Sequence, residues 1–258
     1  MIYIKSKHEI ELMDASGTVA AEAMLRVKEA VKPGVSTYEL NEIADKYIRS
    51  QGAVPNFLNY CGYPASICAS VNDEVVHGIP SKSRILKEGD IISIDMGCIL
   101  KGYHSDMART FAVGKISEEA ATLIKVTREC FFKAIGFAEP GNHIQDIGAA
   151  VERYAESYGY GVVKELEGHG IGREMHEDPA VYNFGEPGRG LKLRKGMTIA
   201  VEPMISAGDW HTTVDDDDWC YRTRDRSLAA HYEHTIAIRE DGLPEILTFP
   251  GFQWKEEE

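Results

Sequence analysis

The chain has 258 residues and a formal net charge of −13, with 43% hydrophobic and 27% charged residues. This length suits one domain or a duplicated one, and the composition is that of a soluble globular protein without an apolar run long enough to span a membrane. The acidic balance argues against nucleic-acid binding, because phosphate contacts need a basic surface.

The N-terminal sequence MIYIKSKHEIELMD lacks the apolar stretch and the small-residue cleavage site of a signal peptide, so we expect a cytoplasmic protein. The five cysteines form an odd number and include no CxxC pair. This count argues against a disulfide framework or a thiolate zinc site, and we expect most of them to be small buried side chains.

Two amphipathic helices are predicted in the first part of the chain. Apolar residues at helical spacing run from Lys7 to Ala30, and Pro33-Gly34 ends the pattern. A capping box, with Ser36 as the N-cap and Glu39 three residues later, begins a second helix that reaches about Gln51.

Short strands are predicted to follow a loop at 53–64. Their positions are 66–71, 74–77, 91–94 and 107–113. A loop at 97–105 would join the last two strands, so Asp95 and Asp106 are expected to flank a hairpin loop.

A ten-residue pattern recurs in the chain, with Leu, Gly and Ile held and an acid closing both copies. Leu86 to Asp95 (LKEGDIISID) is matched 107 positions later (193 minus 86) by Leu193 to Glu202 (LRKGMTIAVE). The same offset pairs Pro33-Gly34 with Pro140-Gly141. These matches predict an internal duplication in which each copy carries an acid at the end of an apolar strand.

The second copy is predicted to repeat the order of elements, with helices near 117–137 and 143–158 and strands at 198–201 and 234–238. We expect one domain over 1–258, made of halves at about 7–113 and 114–250. Because no Gly/Ser-rich linker separates the halves, they should share a core. The second hairpin, from Glu202 to Glu233, is longer than the first.

Four acids occupy equivalent positions in the two copies: Asp95, Asp106, Glu202 and Glu233. They could be independent surface acids. Converging in a cavity they would repel one another, and burying even one unpaired carboxylate costs several kcal/mol, so convergence implies metal. His169, in the string EGHGIG, adds an imidazole, and four carboxylates balance two divalent ions. Such a set suits Mn, Fe or Co at least as well as Zn.

Two further histidines lack counterparts in the other copy. His77 stands in VVHGIP and His176 in MHEDP, each beside Gly or Pro turn residues. A single histidine is more often structural than functional, and the neighbouring turns favour a functional site only modestly.

The strings GDIISIDMG, HSDMARTF, GHGIG, MHEDP, VEPM and HYEHTIAI, in this order and spacing, resemble those of the methionine aminopeptidases over nearly the whole chain. The resemblance implies an α/β (α+β) "pita-bread" fold, a pseudo-two-fold duplication with a central antiparallel sheet flanked by helices. It also implies the short bacterial type I form, because no helical subdomain fits between Glu202 and Glu233 and no N-terminal zinc-finger extension precedes the first helix.

The resemblance assigns five metal ligands, with Asp106 and Glu233 bridging two divalent ions (Co, Mn, Fe or Zn): Asp95, Asp106, His169, Glu202 and Glu233. It implies hydrolytic removal of the initiator methionine from peptides and nascent chains, with a small second residue preferred. A bridging metal hydroxide would attack the scissile carbonyl, and Glu202 would be the general base.

The resemblance also implies roles for both unpaired histidines. His176 would donate to the carbonyl oxygen as it becomes an oxyanion, and His77 would hold the amide nitrogen of the second residue. The methionine pocket would be formed by Phe57, Tyr60, Tyr63, Cys68, Met175 and Trp219, each of which could equally be ordinary core. A monovalent cation near Asn72 is a further expectation.

Three features depart from the family pattern or vary within it. The acidic run Asp215–Asp218 could trap a cation weakly or solvate a hairpin tip, and we expect solvation. His231 stands where we expect another polar residue, and Cys61 occupies a variable position. The expected partners are peptide and nascent-chain N-termini and the ribosome, without membrane or nucleic acid, and we expect a monomer.

Two other functions stay open. An X-Pro aminopeptidase or prolidase shares the fold and the ligand order but usually carries a large N-terminal domain. A non-catalytic binding protein of this fold would have lost its metal ligands, whereas all five are present here.

Overall fold

The computed structural model describes residues 1–240 and 242–252. The first two helices, α1 (Lys7–Ala30) and α2 (Thr37–Ser50), lie where the sequence predicts them. Each begins with a capping box, in which the N-cap serine accepts from the N3 amide and the N3 glutamate accepts from the N-cap amide. The N-caps are Ser6 and Ser36, so the predicted start of α2 is confirmed.

The second pair of helices is also found as predicted, with α3 at Glu118–Ile135 and α4 at Ile144–Ser157. The Ser117 hydroxyl caps α3 by accepting from the Ala120 amide at 3.1 Å. Within each pair the two helices pack against each other, and α1 also packs against the strands that carry the first two acids.

The strands of the described residues form one large and two small sheets. In chain order they are β1 (Val54–Pro55), β2 (Cys68–Val71), β3 (Glu74–Val76), β4 (Ile91–Leu100), β5 (Tyr103–Ala112), β6 (Gly161–Val162), β7 (Gly168–Gly170), β8 (Glu177–Val181), β9 (Thr198–Val201), β10 (Met204–Ser206), β11 (Thr212–Val214), β12 (Tyr221–Thr223), β13 (Ala229–His231), β14 (Glu233–Ala237) and β15 (Glu245–Ile246). A short 3-10 helix covers Tyr60–Gly62.

The large sheet shows the duplication directly. Its nine strands follow the order β1-β4-β5-β14-β9-β7-β8, with β2 added on β4 and β15 on β14, and the pairings are antiparallel. The β5 and β14 strands are neighbours, and β4 and β9 lie outside them. Equivalent strands of the two halves are therefore arranged about an approximate two-fold axis between β5 and β14.

Each half has its own hydrophobic core beneath its own helix pair. One cluster is built from the first half, and a second is built from residues of the second half plus Ile91. The expected shared core is found in three smaller clusters that join both halves, one of which is formed by Met13, Tyr103, Ile171, Ala237 and Leu247. What the halves mainly share is the continuous sheet.

The hairpin of the first half differs from the prediction. The predicted loop at 97–105 is wrong, because β4 and β5 continue to a two-residue turn, Lys101-Gly102. Both turn residues have positive φ, 51° and 80°, as a type I′ turn requires. Asp95 and Asp106 therefore do not flank a loop but lie inside long paired strands, opposite Ala108 and Gly97 respectively.

The corresponding region of the second half is opened by an insertion. Between Glu202 and Glu233 the chain forms β10 to β13, which contribute to the two small sheets, β13-β10-β6 and β11-β12-β3.

Of the five cysteines, four are buried and Cys61 is exposed, and none is in a disulfide. No helix in residues 1–240 and 242–252 is both long enough and apolar enough to cross a bilayer.

Candidate metal centre

Five neighbouring strands each bring one predicted ligand residue to the same place in the sheet. Following the strand order β4-β5-β14-β9-β7, the residues are Asp95, Asp106, Glu233, Glu202 and His169. Glu202 directly follows β9, and the other four lie within their strands. All five are less than 10% exposed. The structure thus brings the complete predicted set together, with acids from both copies.

Three carboxylate oxygens of this group lack hydrogen-bond partners. Asp95 Oδ1, Asp106 Oδ1 and Glu233 Oε1 are buried and accept no hydrogen bond from the residues described. An unsatisfied buried polar group costs about 1–3 kcal/mol, and more when it is charged. Oxygen ligands left in this state fit divalent cations.

The backbone orients His169 for metal binding. Its Nδ1 lies 2.8 Å from the Gly170 carbonyl oxygen, so Nδ1–H donates and the Nε2 lone pair is left for a ligand bond. The Nε2 atom is 3.8 Å from both Asp106 Oδ2 and Glu202 Oε1. These distances are too long for hydrogen bonds, but two donors that each lie about 2.1 Å from one ion can be up to about 4.2 Å apart.

Burial controls the charge of this group when no ion is bound. It raises the pKa of Asp106 to about 7 and the pKa values of the other three acids well above their usual range, with the Asp106 charge as a further cause. Burial lowers the pKa of His169 to about 3, so the imidazole is neutral. The 3.8 Å contacts are therefore not ion pairs, and bound cations would displace protons from the acids.

A cavity of about 440 Å³ connects these residues to an apolar pocket. Five of the six predicted pocket residues belong to one hydrophobic cluster beside the acids: Phe57, Tyr63, Cys68, Met175 and Trp219. The rings of Tyr63 and Trp219 meet edge to face at 5.1 Å. Burial raises the pKa of Cys68 well above its usual value, so this wall is uncharged.

Tyr60, the sixth predicted pocket residue, has a different environment. It lines the cavity outside the apolar cluster, and its hydroxyl lies 2.7 Å from His176 Nδ1. Burial raises the pKa of Tyr60, so the phenol keeps its proton and can donate it to Nδ1. The His176 Nε2–H would then be available to a substrate. The His176 ring also lies 4.1 Å from the ring of His169, next to the metal ligands.

His77 also lines the cavity, just after β3, with a positive φ of 60°. Its ring meets Tyr221 edge to face at 5.8 Å and Trp219 at 6.4 Å. Burial lowers its pKa to about 4, so it is neutral at physiological pH. His77 and His176 therefore both face the cavity, as the sequence motifs suggested, without joining the acids.

Another cavity residue, His231, was noted in the sequence only as a departure from the family pattern. It ends β13, is 1% exposed, and places Nε2 3.7 Å from Glu202 Oε2 and 3.8 Å from Glu233 Oε2. The signal was its spacing, because residues two apart in an extended segment face the same side. A histidine two positions before Glu233 could have been placed in the site.

The acidic run has a structural role that the sequence did not suggest. Asp217 Oδ1 accepts from the amides of Trp219 and Cys220 at 2.8 and 2.9 Å. Asp215 forms an ion pair with Arg222 at 2.6 Å. Asp217 is exposed, in keeping with the expected solvation of the hairpin tip, and both acids also stabilise this tip, which carries Trp219.

The segment near Asn72 joins the two halves of the chain. Its backbone carbonyl accepts from the Ala229 amide at 2.9 Å, and its side-chain carbonyl accepts from the Ile91 amide at 3.0 Å. A monovalent-cation site at this place stays a prediction.

A duplicated α/β fold with buried acids from both copies and a histidine in one cavity defines a metal-dependent enzyme class. Residues 11–240 match metallopeptidase family M24. The chain belongs to this family, and it is therefore a metallopeptidase that uses divalent metal.

The similar proteins agree with this assignment. The methionine aminopeptidase of Clostridium acetobutylicum is 54% identical over 248 residues, which are 96% of this chain and 99% of that protein. The methionine aminopeptidase structure from Rickettsia prowazekii has a TM-score of 0.94 and 43% identity, covering 96% of this chain and 100% of that one. These relatives confirm the resemblance recognised in the sequence strings and the duplicated fold that it implied.

A prolidase from Pyrococcus furiosus is a more distant neighbour. Its TM-score is 0.78 at 24% identity, and the match covers 96% of this chain but 66% of that chain. At this identity the likeness shows the shared fold alone.

Proposed function

We propose that this metallopeptidase removes the N-terminal methionine of peptides and nascent proteins, with a small second residue preferred. One observation carries the proposal: a single cavity joins the five candidate ligand residues to an apolar pocket that fits one flexible side chain. The high identity to methionine aminopeptidases over almost the whole chain supports the same substrate.

The proposed ligands are the four acids and His169, which fit two divalent ions with Asp106 and Glu233 shared between them. Four carboxylates balance two such ions in charge, and Co, Mn, Fe and Zn are all compatible with the oxygen-rich set. Ions bound here would supply a water molecule whose pKa falls from about 16 toward about 7, so a nucleophile exists at neutral pH.

Glu202 is the proposed general base. Its carboxylate follows β9 and faces His169, and its own backbone carbonyl is held by the Asn183 side-chain amide at 2.9 Å. Burial raises its pKa in the metal-free chain. Beside bound cations the carboxylate would be ionised, and it could then take a proton from the attacking water and return it to the leaving amine.

His176 is the proposed donor to the developing oxyanion. When Tyr60 donates to Nδ1, the Nε2–H of His176 is free to donate to the scissile carbonyl oxygen. A donor of this kind is typically worth about 3–4 kcal/mol in the transition state. His77, which also lines the cavity, would hold the amide nitrogen of the second residue and so fix the register of the peptide.

The apolar cluster would bind the methionine side chain. A thioether is polarizable and makes favourable contacts with aromatic rings, which Phe57, Tyr63 and Trp219 supply. The cluster lies directly beside the acids, so a side chain buried in it brings the first peptide bond to the reacting groups. A methionine side chain that fills the cluster would exclude water from it.

The test compares peptides on one preparation of the full chain, first stripped with chelator and then loaded with Co²⁺ or Mn²⁺. Met-Ala-Ser should be cleaved at its first bond, and a matched Leu-Ala-Ser peptide should be cleaved far more slowly. Preference for an X-Pro dipeptide would instead identify a prolidase-type enzyme. A loaded protein inert on every N-terminal methionine peptide would support the non-catalytic alternative.

Action on nascent chains at the ribosome, a cytoplasmic location and a monomeric state remain predictions from the sequence. Sedimentation of the purified chain with ribosomes tests for binding to the ribosome, and sedimentation without ribosomes tests for the monomeric state. Co-sedimentation is expected, and a sedimentation coefficient of a dimer would contradict the monomer.

A further inference from the structure

His231 is a buried histidine of the cavity to which the family pattern gives no role. We propose that His231 is a sixth ligand residue of the metal centre and that its Nε2 is a second nitrogen donor. The inference rests on the proposed metal centre and adds a residue to it.

The positions of the two imidazoles are closely comparable. His231 Nε2 lies 3.7 Å from Glu202 Oε2 and 3.8 Å from Glu233 Oε2, whereas His169 Nε2 lies 3.8 Å from Asp106 Oδ2 and 3.8 Å from Glu202 Oε1. Glu202 thus has an imidazole nitrogen near each of its two oxygens. All four distances exceed a hydrogen bond and fit donors that share an ion about 2.1 Å away.

The donor atoms divide into two groups of three. One group contains Asp106, His169 and Glu233, and the other contains Asp95, His231 and Glu233, with the atoms of each group within 4.8 Å of one another. Each group has one aspartate and one histidine, and both share Glu233. This arrangement provides one nitrogen donor for each of two ions.

The ring of His231 lacks any other partner among the residues described. Both Nδ1 and Nε2 are buried and make no hydrogen bond, whereas Nδ1 of His169 donates to the backbone. Leaving a buried polar group unsatisfied costs about 1–3 kcal/mol, so an isolated role in the core is unfavourable. A neutral nitrogen that faces two carboxylates can bind a cation without changing the charge balance.

The backbone holds this ring in place. The Thr110 hydroxyl accepts from the His231 amide at 2.9 Å and donates to the His231 carbonyl oxygen at 2.9 Å. On the other side His231 pairs with Met204 across β10 and β13. Because the segment is extended, His231 and Glu233 face the same side, toward the acids.

A second imidazole should change which ion the centre prefers. Nitrogen donors favour Zn²⁺, Co²⁺ and Fe²⁺, whereas Mn²⁺ suits carboxylate oxygen. Replacing His231 by Gln should therefore weaken Zn²⁺ binding more than Mn²⁺ binding.

The direct test observes the ring nitrogens in the wild-type chain. The full protein is labelled with ¹⁵N-histidine, stripped of metal and titrated with Zn²⁺, and His231 is assigned by the resonances that His231→Gln removes. The Nε2 resonances of both His169 and His231 should move to the range of zinc-bound imidazole. A His231 resonance that stays at its metal-free position while that of His169 moves would overturn the proposal.

Affinity provides the second test, read by calorimetry on the metal-free chain. His231→Gln should weaken the binding of one Zn²⁺ by at least about tenfold. His77→Gln is the matched control, because His77 lines the same cavity but belongs to neither donor group, and its affinity should stay within about twofold.

The two failures can be told apart. A wild-type chain that binds two ions and cleaves methionine peptides, with His231 unmoved on Zn²⁺ addition, refutes only the role of His231. A wild-type chain that binds no divalent ion refutes the centre itself and this inference with it.

Discussion

The two halves supply equivalent acids from very different hairpins. In the first half β4 and β5 are joined by the two-residue turn Lys101-Gly102, and both acids lie within long paired strands. In the second half an insertion separates Glu202 from Glu233 and contains β10 to β13. The four acids nevertheless meet, because their positions depend on neighbouring strands of one sheet and not on the connections between them.

The insertion is where the halves acquire different roles. It carries Trp219, which closes the apolar pocket, and His231, which faces the acids. The first half provides most of the other pocket wall, including Phe57 and Tyr63. Duplication therefore explains the four repeated carboxylates, Asp95, Asp106, Glu202 and Glu233, which we call the cage. The unequal hairpins explain why this symmetric group lies beside a pocket that is not symmetric.

The largest effect should come from the acids on the two central strands. Asp106→Asn and Glu233→Gln each remove one of the residues proposed to be shared by both ions, so each should lower kcat/KM by at least about a thousandfold, equivalent to roughly 4 kcal/mol. Metal content, measured by elemental analysis, should fall with activity in both variants.

Asp216→Asn is the control for this pair, because it removes an exposed acid outside the cavity. Its activity and metal content should match those of the wild type. If Asp106→Asn were inactive and Glu233→Gln retained normal activity, the two hairpins would not contribute equally and the symmetric view of the cage would be wrong.

A pH titration tests whether the cage is one buried unit. Burial raises the pKa of Asp106 from 3.8 to about 7 in the absence of metal, so the folded state keeps a proton that the unfolded chain releases above about pH 4. This retained proton stabilises the folded state below about pH 4, and the stabilisation is lost as the pH rises to about 7. The free energy of unfolding of the metal-free chain should therefore fall over this range, by at most about 4 kcal/mol for Asp106.

Denaturant unfolding in chelator measures this loss, and the same series in Zn²⁺ is the comparison. Because the ion replaces the proton, the stabilisation by Zn²⁺ should grow over the same pH range. A metal-free chain whose stability is constant or rises between pH 4 and 7 would show that these acids are solvated.

The next effect tests the histidines that have no symmetric partner. His176→Ala should lower kcat by about a hundredfold, because it removes the proposed oxyanion donor, while the metal content stays unchanged. His77→Ala should lower activity mainly on substrates that have a second residue, because His77 is proposed to hold the amide nitrogen of that residue. If metal content fell as much as activity in either variant, that histidine would belong among the metal ligands instead.

Much of this structure could be read from the sequence, since the informative residues act locally. Capping serines with glutamates three positions later predicted the start of α2, and the repeated acids predicted which residues converge. The turn at Lys101-Gly102 was missed because lysine rarely adopts the positive φ that a type I′ turn needs. The contacts of Asp217 are local, because its carboxylate accepts from amides two and three residues later, but an acidic run does not specify which of its members does so. The spacing of His231 from Glu233 was a usable signal, whereas its approach to Glu202 depends on tertiary structure.

A smaller effect is expected at the insertion itself. Asp217→Ala removes the acceptor for the amides of Trp219 and Cys220, so the pocket wall should be less well held. Each lost hydrogen bond contributes about 1 kcal/mol, and KM for a methionine peptide should rise several-fold with kcat nearly unchanged. Asp216→Ala, a neighbour in the same acidic run, is the matched control and should leave KM unaltered.

The smallest effect lies in the tight turn that distinguishes the first hairpin. Lys101 has φ of 51° and Gly102 φ of 80°, a pair of conformations that an Asn-Gly sequence adopts more readily. Lys101→Asn should raise the free energy of unfolding by about 0.5 kcal/mol, and Gly102→Ala should lower it by about 1 kcal/mol, because a side chain at positive φ is strained even where the surrounding space is open. Denaturant unfolding of the two variants measures both signs. If the free energy of unfolding changes in opposite directions in the two variants and their metal content stays normal, the turn stabilises the hairpin without helping to place Asp95 and Asp106. The second half requires this result, because its equivalent acids are placed without a tight turn.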